Sequence, residues 1–120
     1  MHRVLFCGAA LAAAFVITST AAAAVSLTLT PSSVKQGHVV VIMGSADGCA
    51  VGNTVFIISR AFVHTHDFAG VPAVLAKVKA DHSFRTSTRI PLGKKAVLFR
   101  VTARCGGGNL GVLRHLILRH

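Results

Sequence analysis

Beyond its first two dozen residues, this chain is made of short apolar or alternating runs of strand length, separated by turn and loop residues. Val25, Leu27 and Leu29 alternate with Ser26, Thr28 and Thr30, and Pro31-Ser32-Ser33 ends the run. A period of two puts every second side chain on one face of a β-strand, and a proline and serine cluster marks the turn that follows. Nowhere after the N-terminal segment do apolar residues recur at the three- and four-residue spacing of an amphipathic helix. The chain is therefore expected to be all-β.

Further strands are expected at residues 38–44, 54–60, 74–80, 84–90, 96–104 and 110–118. Turns fall at 45–53, 91–95 and 106–109, and the longest irregular stretch, 61–73, carries His64, His66, Asp67, Gly70 and Pro72. Seven short strands with turn signals at this spacing suggest a sandwich of two antiparallel sheets. Treating 74–80 and 84–90 as a hairpin with a connection at 81–83 sets Val78 opposite Thr86, Ala80 opposite Phe84, and Lys79 opposite Arg85 on the outer face. Arg100 and Arg104 alternate outward from Val97, Phe99, Val101 and Ala103, whereas Arg114 and His115 disturb the alternation of the last strand.

The N-terminus reads as a secretory signal peptide at residues 1–24, followed by one domain at 25–120. Met1-His2-Arg3 is a positive start, 4–17 is uncharged and apolar, and Ala21-Ala22-Ala23-Ala24 offers the small residues a signal peptidase requires. A membrane span needs about 20 apolar residues, and Thr18-Ser19-Thr20 interrupts the run first. Cys7 lies early in the apolar run, not at its end where an acylated cysteine belongs, and is expected to leave with the leader. No later segment is long enough to span, so the mature chain is expected to be secreted without a transmembrane segment. A domain of this length has a thin core, and an oxidising destination permits a covalent staple between the two remaining cysteines.

The formal net charge is +10, and loss of Arg3 with the leader leaves +9. Lys77, Lys79, Arg85, Arg89, Arg100 and Arg104 form the candidate anion-binding surface, suited to anionic cell-envelope polymers or surface proteins. Nucleic acid is not an expected partner, because groove-reading helices are missing and Trp and Tyr are absent. His64-x-His66-Asp67 supplies two imidazoles where a metal site needs three or four ligands, with His38 the one plausible addition; solvated loop histidines are the simpler reading, and no metal is expected. With no Glu, no Tyr and three Asp, acid–base pairs are scarce, and adjacent Asp81, His82 and Ser83 in a tight turn cannot converge on each other's functional atoms. An enzyme is not expected, nor a cofactor. Gly106-Gly107-Gly108 reads as a turn, since no helix follows to complete a phosphate loop. Phe62 and Phe68 are core or loop-packing residues, with a ligand cleft between them the lesser alternative.

Taken together, Leu29-Thr30-Pro31-Ser32-Ser33, Gly37, Gly44, Gly48-Cys49, Gly52-x-x-Val55, Ala80-Asp81-x-Ser83-Phe84, Pro91 and Val101-Thr102-Ala103-Arg104-Cys105-Gly106-Gly107 resemble small secreted immunoglobulin-like domain proteins of actinobacterial type. The resemblance spans nearly all of residues 25–120. It implies an immunoglobulin-like antiparallel β-sandwich acting as an exported, non-enzymatic structural or interaction domain at the cell surface or in the medium. A ligand-binding module is the alternative: an envelope-polymer binder using the basic face, or a small-molecule carrier like the distantly similar neocarzinostatin-like apoproteins, whose second cysteine pair this chain lacks. A secreted cationic antibacterial protein is a third class, resting on charge alone. The resemblance also implies a Cys49–Cys105 disulfide, whose loop closure is worth about 4 kcal/mol. The loops at 45–53, 81–83 and 106–109 then share one pole with the cysteines, and 31–37, 61–73 and 91–95 gather at the other.

Overall fold

In the computed structural model, residues 25–106 and 108–120 are described. The leader reading at 1–24 and Gly107 lie outside these residues. The described chain is all-β, with nine strands: β1 Ser26–Thr30, β2 Ser33–Lys35, β3 Val39–Ser45, β4 Thr54–Ile58, β5 His66–Phe68, β6 Val71–Lys77, β7 Ser83–Arg89, β8 Leu98–Cys105 and β9 Gly108–Arg119. No helix long and apolar enough to cross a membrane occurs among the described residues.

The strands form two sheets, one of order β1-β3-β7 and one of order β2-β9-β8-β4-β6-β5. Alternation explains their inner faces. Leu27 and Leu29 stand opposite Gly44 and Ile42 in the small sheet, while Val55 and Ile57 stand opposite Ala76 and Val74 on one side and Cys105 and Ala103 on the other in the large one. These side chains join Val40, Phe62, Phe84, Ile90, Val101, Leu116 and Leu118 in one hydrophobic cluster shared by both sheets. Burying each such side chain contributes about 1.5–3 kcal/mol, so the sheets are held by this common core. Phe84 needs room: an added Cβ on Gly44 would lie 2.0 Å from the Ser26 carbonyl oxygen and 2.7 Å from the Phe84 ring.

Two strands appear where the sequence predicted none. The stretch 61–73 contains β5 and the start of β6, joined by Ala69 and Gly70 at φ of 53° and 83°. Two consecutive positive φ values make the turn that matches the twist of a two-residue hairpin. β2 is three residues long and pairs in parallel with the end of β9, Val34 opposite Leu118. Serine and lysine around a single valine leave too little alternation to announce a strand.

The expected 74–80/84–90 hairpin register is corrected. β6 and β7 belong to different sheets, and β7 pairs instead with β3, Gly44 opposite Phe84 and Met43 opposite Arg85. Only the turn survives: Lys79 N donates to Ser83 O at 2.8 Å and His82 N to Lys79 O at 2.8 Å, with His82 at φ 65°. This is a three-residue connection, Ala80-Asp81-His82, ending in a left-handed residue. On either side of it the strands part: Val78 N donates to Asn53 O at 2.9 Å, and Ala46 N to His82 O at 2.8 Å.

The last strand keeps its period of two through Arg114 and His115: Leu110, Val112, Leu116 and Leu118 are its more buried positions, and Arg114 falls in phase with them. Arg114 then lies opposite Val101 and His115 opposite Arg100. Both line a depression of about 160 Å³ with Leu27, Thr28, Leu29 and Ser32, where β1 and β9 approach. Arg114 therefore reaches solvent at the sheet margin, its Nη1 donating to Leu113 O at 2.9 Å.

Cys49 and Cys105 form a disulfide with a Cα–Cα distance of 6.2 Å. It ties the β3–β4 loop to the last residue of β8 and so joins a loop leaving the small sheet to the large one. Of the loops expected at the opposite pole, 31–37 and 91–95 meet, Gly37 N donating to Ile90 O at 2.8 Å and Gly93 N to Gln36 Oε1 at 3.1 Å, and Lys94 Nζ donates to Arg60 O at 2.7 Å, just before the 61–73 stretch.

Candidate anion-binding cleft

Where β6 and β7 diverge from their shared turn, three of the six predicted basic residues come together. Lys77 ends β6 opposite Thr54 and its Nζ reaches Gly52 O at 3.5 Å. Lys79 begins the turn. Arg85 stands on β7, its Nη1 3.4 Å from Met43 Sδ. With Thr54, Leu75 and Ala76 they line a cavity of about 520 Å³. A second cavity of about 480 Å³ adjoins it, lined by Ser26, Thr28, Met43, Gly44, Ser45, Ser83 and Phe84 and sharing Lys79 and Arg85. The two cations thus form a ridge with an apolar wall on one side and a hydroxyl-rich sheet face on the other.

Among the described residues, Lys77, Lys79 and Arg85 make no ion pair. Asp81, in the turn beside Lys79, is held elsewhere: its Oδ1 accepts from Ser83 Oγ at 2.6 Å and from Ser83 N at 3.0 Å. These hydrogen bonds, the hydroxyl's first, lower the Asp81 pKa below its ordinary value, with the nearby Lys79 charge adding a little. The same geometry settles the role of Ser83, whose hydroxyl donates to Asp81 in a capped turn.

The other three basic residues stand apart from this cleft. Arg89, at the far end of β7, donates from Nη1 to Gly37 O at 2.5 Å. Arg100 lies opposite His115 and lines a depression of about 330 Å³ with Ile58, Ser59, Arg60, Val71, Leu98, Phe99 and Thr102. Arg104 lies 4.9 Å over the Phe68 ring, which in turn meets Phe56 at 5.4 Å between centroids. It shares the outer face of the large sheet with Lys77, but Phe56 separates it from Leu75. The predicted basic surface is therefore one cleft plus three separate positions, because β7 and β8 carry their arginines to opposite ends and different sheets.

His64 Nδ1 meets Asp67 Oδ1 at 2.5 Å, and His66 pairs opposite Ala73 in β5. No group of three His, Cys, Asp or Glu side chains gathers among the described residues. Phe62 is fully buried in the core, whereas Phe68 is on the outer face of the large sheet, so they do not line one cleft. Thr54, Leu75, Met43, Ser26 and Thr28 are the site residues that sequence reading missed. No local signal marks them, since they arrive from strands that only the crossover between sheets brings together.

No protein-family model matches the chain, and no curated protein matches it.

Proposed function

We propose that the protein is an exported, non-enzymatic immunoglobulin-like domain that acts as an interaction module at the cell surface or in the medium, engaging anionic envelope polymers through the Lys77, Lys79 and Arg85 cleft. The strand order supports the fold part of this reading. β1-β3-β7 follows the A-B-E order of one immunoglobulin sheet, and β4, β8 and β9 correspond to C, F and G of the other. The disulfide leaves from the loop after β3 and not from within that strand, a departure from the antibody arrangement.

The observation that carries the functional reading is the convergence of three cations, none ion-paired among the described residues, around one cavity. Such a cluster raises the local concentration of anions and weakens steeply with added salt. The Asp81 carboxylate and Ser83 hydroxyl are spent on capping a turn, which speaks against hydrolytic chemistry there. The leader reading at 1–24 supports export, and the mass of the product recovered from the medium tests it.

Pulldown of the mature domain with purified phosphate- or carboxylate-bearing envelope polymers, at low and at high salt, tests the binding. Retention at low salt that is lost at high salt, and lost also in Lys79→Gln with Arg85→Gln, is expected. Absent or salt-insensitive retention refutes it.

A further inference from the structure

The ridge of Lys79 and Arg85 separates two surfaces of different chemistry, and a simple polyanion would use only the cations. Leu75 gives the larger cavity an apolar wall, with the Thr54 side chain beside it, while the Ala76 side chain turns into the core. Its volume, about 520 Å³, lies in the ~300–1,000 Å³ range of small-molecule sites. On the other side stand the hydroxyls of Ser26 and Thr28. Ser26 Oγ accepts from Ser45 N at 3.1 Å, which leaves its own proton to donate. A neutral apolar ligand seated here would strip water from cations without replacing it, and a bare anion would leave the apolar wall wet.

We infer that this junction binds an anionic amphiphile: a phosphate or carboxylate head held between Lys79 and Arg85, with an apolar body along Leu75. The inference deepens the anion-binding reading above and rests on it for the role of the cations. Lys77, at the mouth opposite Thr54, adds charge to the head's approach, and Arg85 is oriented by its contact with Met43 Sδ. The guanidinium can take a phosphate or carboxylate through two parallel donors, whereas Lys79 acts as a point charge. An apolar body of modest length suffices to cover the wall; polar groups next to the head would face the serine and threonine hydroxyls of β1.

The test uses decyl phosphate below its micelle concentration, inorganic phosphate and decanol as probes, read by ¹H–¹⁵N NMR on the mature domain. Decyl phosphate should shift the amides of Thr54, Leu75, Lys77, Lys79 and Arg85, and bind at least about tenfold more tightly than either half-ligand. Lys79→Gln and Arg85→Gln should each weaken it about tenfold, and Arg100→Gln should leave it unchanged. Both exposed cations can be replaced without touching the core, and retained amide dispersion verifies the fold. Equal affinity for inorganic phosphate, or shifts spread evenly over Arg89 and Arg100, overturns the inference.

Cosedimentation with phosphatidylglycerol vesicles separates the sources of such a head. Sedimentation that requires Lys79 and Arg85 assigns the amphiphile to a bilayer, binding of decyl phosphate alone assigns it to a free molecule, and failure of both overturns the inference. Polymer retention without decyl phosphate binding removes this inference alone. Decyl phosphate binding without polymer retention supports it and removes the polymer reading.

Discussion

Removing the Cys49–Cys105 link should be the most damaging change that leaves the core volume nearly intact. The two residues are 56 positions apart, and closing a loop of that length restricts the unfolded chain by about 4 kcal/mol on the chain-entropy relation. A single domain of roughly this size is stable by about 5–14 kcal/mol, so the loss takes a large share. The double replacement Cys49→Ala with Cys105→Ala removes little more than two sulfur atoms, and only Cys49 is deeply buried, at 4% exposure. With a urea slope of about 1–1.5 kcal/mol per molar, the midpoint should fall by about 3 M. The chain has no Trp or Tyr, so far-UV circular dichroism is the suitable probe. The slope itself should rise slightly, because the unlinked unfolded chain is more expanded. A loss below about 1 kcal/mol, or two alkylatable thiols in the folded untreated protein, would refute the loop-entropy reasoning.

Gly44→Ala should destabilise by about 3 kcal/mol or more in urea unfolding, because its Cβ would meet a backbone carbonyl at 2.0 Å as well as the Phe84 ring; a change under about 0.5 kcal/mol contradicts the tight β1–β3 approach. His82→Gly should leave stability equal or raise it by about 0.5–1 kcal/mol, since it relieves a left-handed residue at φ 65° and removes a buried Nδ1 with no hydrogen-bond partner; a clear loss would show that the ring's packing outweighs both. Asp81 has its folded pKa depressed, so its contribution to stability is full above its unfolded value and fades as pH falls through the folded one. Ser83→Ala should move the Asp81 titration upward toward the ordinary carboxylate value in an NMR titration, and an unmoved curve would dismiss the hydroxyl as the main cause.

Alternation was enough to read β1, β7 and β8, each with one face on the common core and the other toward solvent, while β3 and β4 were legible as short apolar runs bounded by turn signals. It failed at β2 and β5, which are three residues long and lie at sheet margins, where His66-Asp67-Phe68 and Ser33-Val34-Lys35 offer no pattern of their own. It also placed β6 and β7 in one hairpin. Parity states which residues share a face but not which sheet a strand joins, and the inward set Phe84, Thr86 and Thr88 fits a partner on β3 as well as one on β6. The candidate site shows the same limit. Lys77, Lys79 and Arg85 were legible as outward cations, whereas the apolar and hydroxyl walls depend on strands distant in sequence.

The crossover that defeated the register reading is also what makes the cleft. A continuous β6–β7 hairpin would pair its backbones and set Lys79 against Arg85 on a flat face, a like-charge contact with no cavity beside it. Instead the chain makes one hydrogen-bonded turn at Lys79 and Ser83 and then sends β6 along β4 and β7 along β3. The strands separate from that apex, so Leu75 is left as one wall and β7 supplies Arg85 as the other. Asp81 sits at the apex, yet its Oδ1 accepts from the Ser83 hydroxyl and the Ser83 amide, and among the described residues it makes no ion pair with the cations that face an incoming anion. Freeing that carboxylate with Ser83→Ala should therefore compete with ligand for Lys79 and weaken anion binding while leaving the fold intact, an effect that a purely structural turn would not produce.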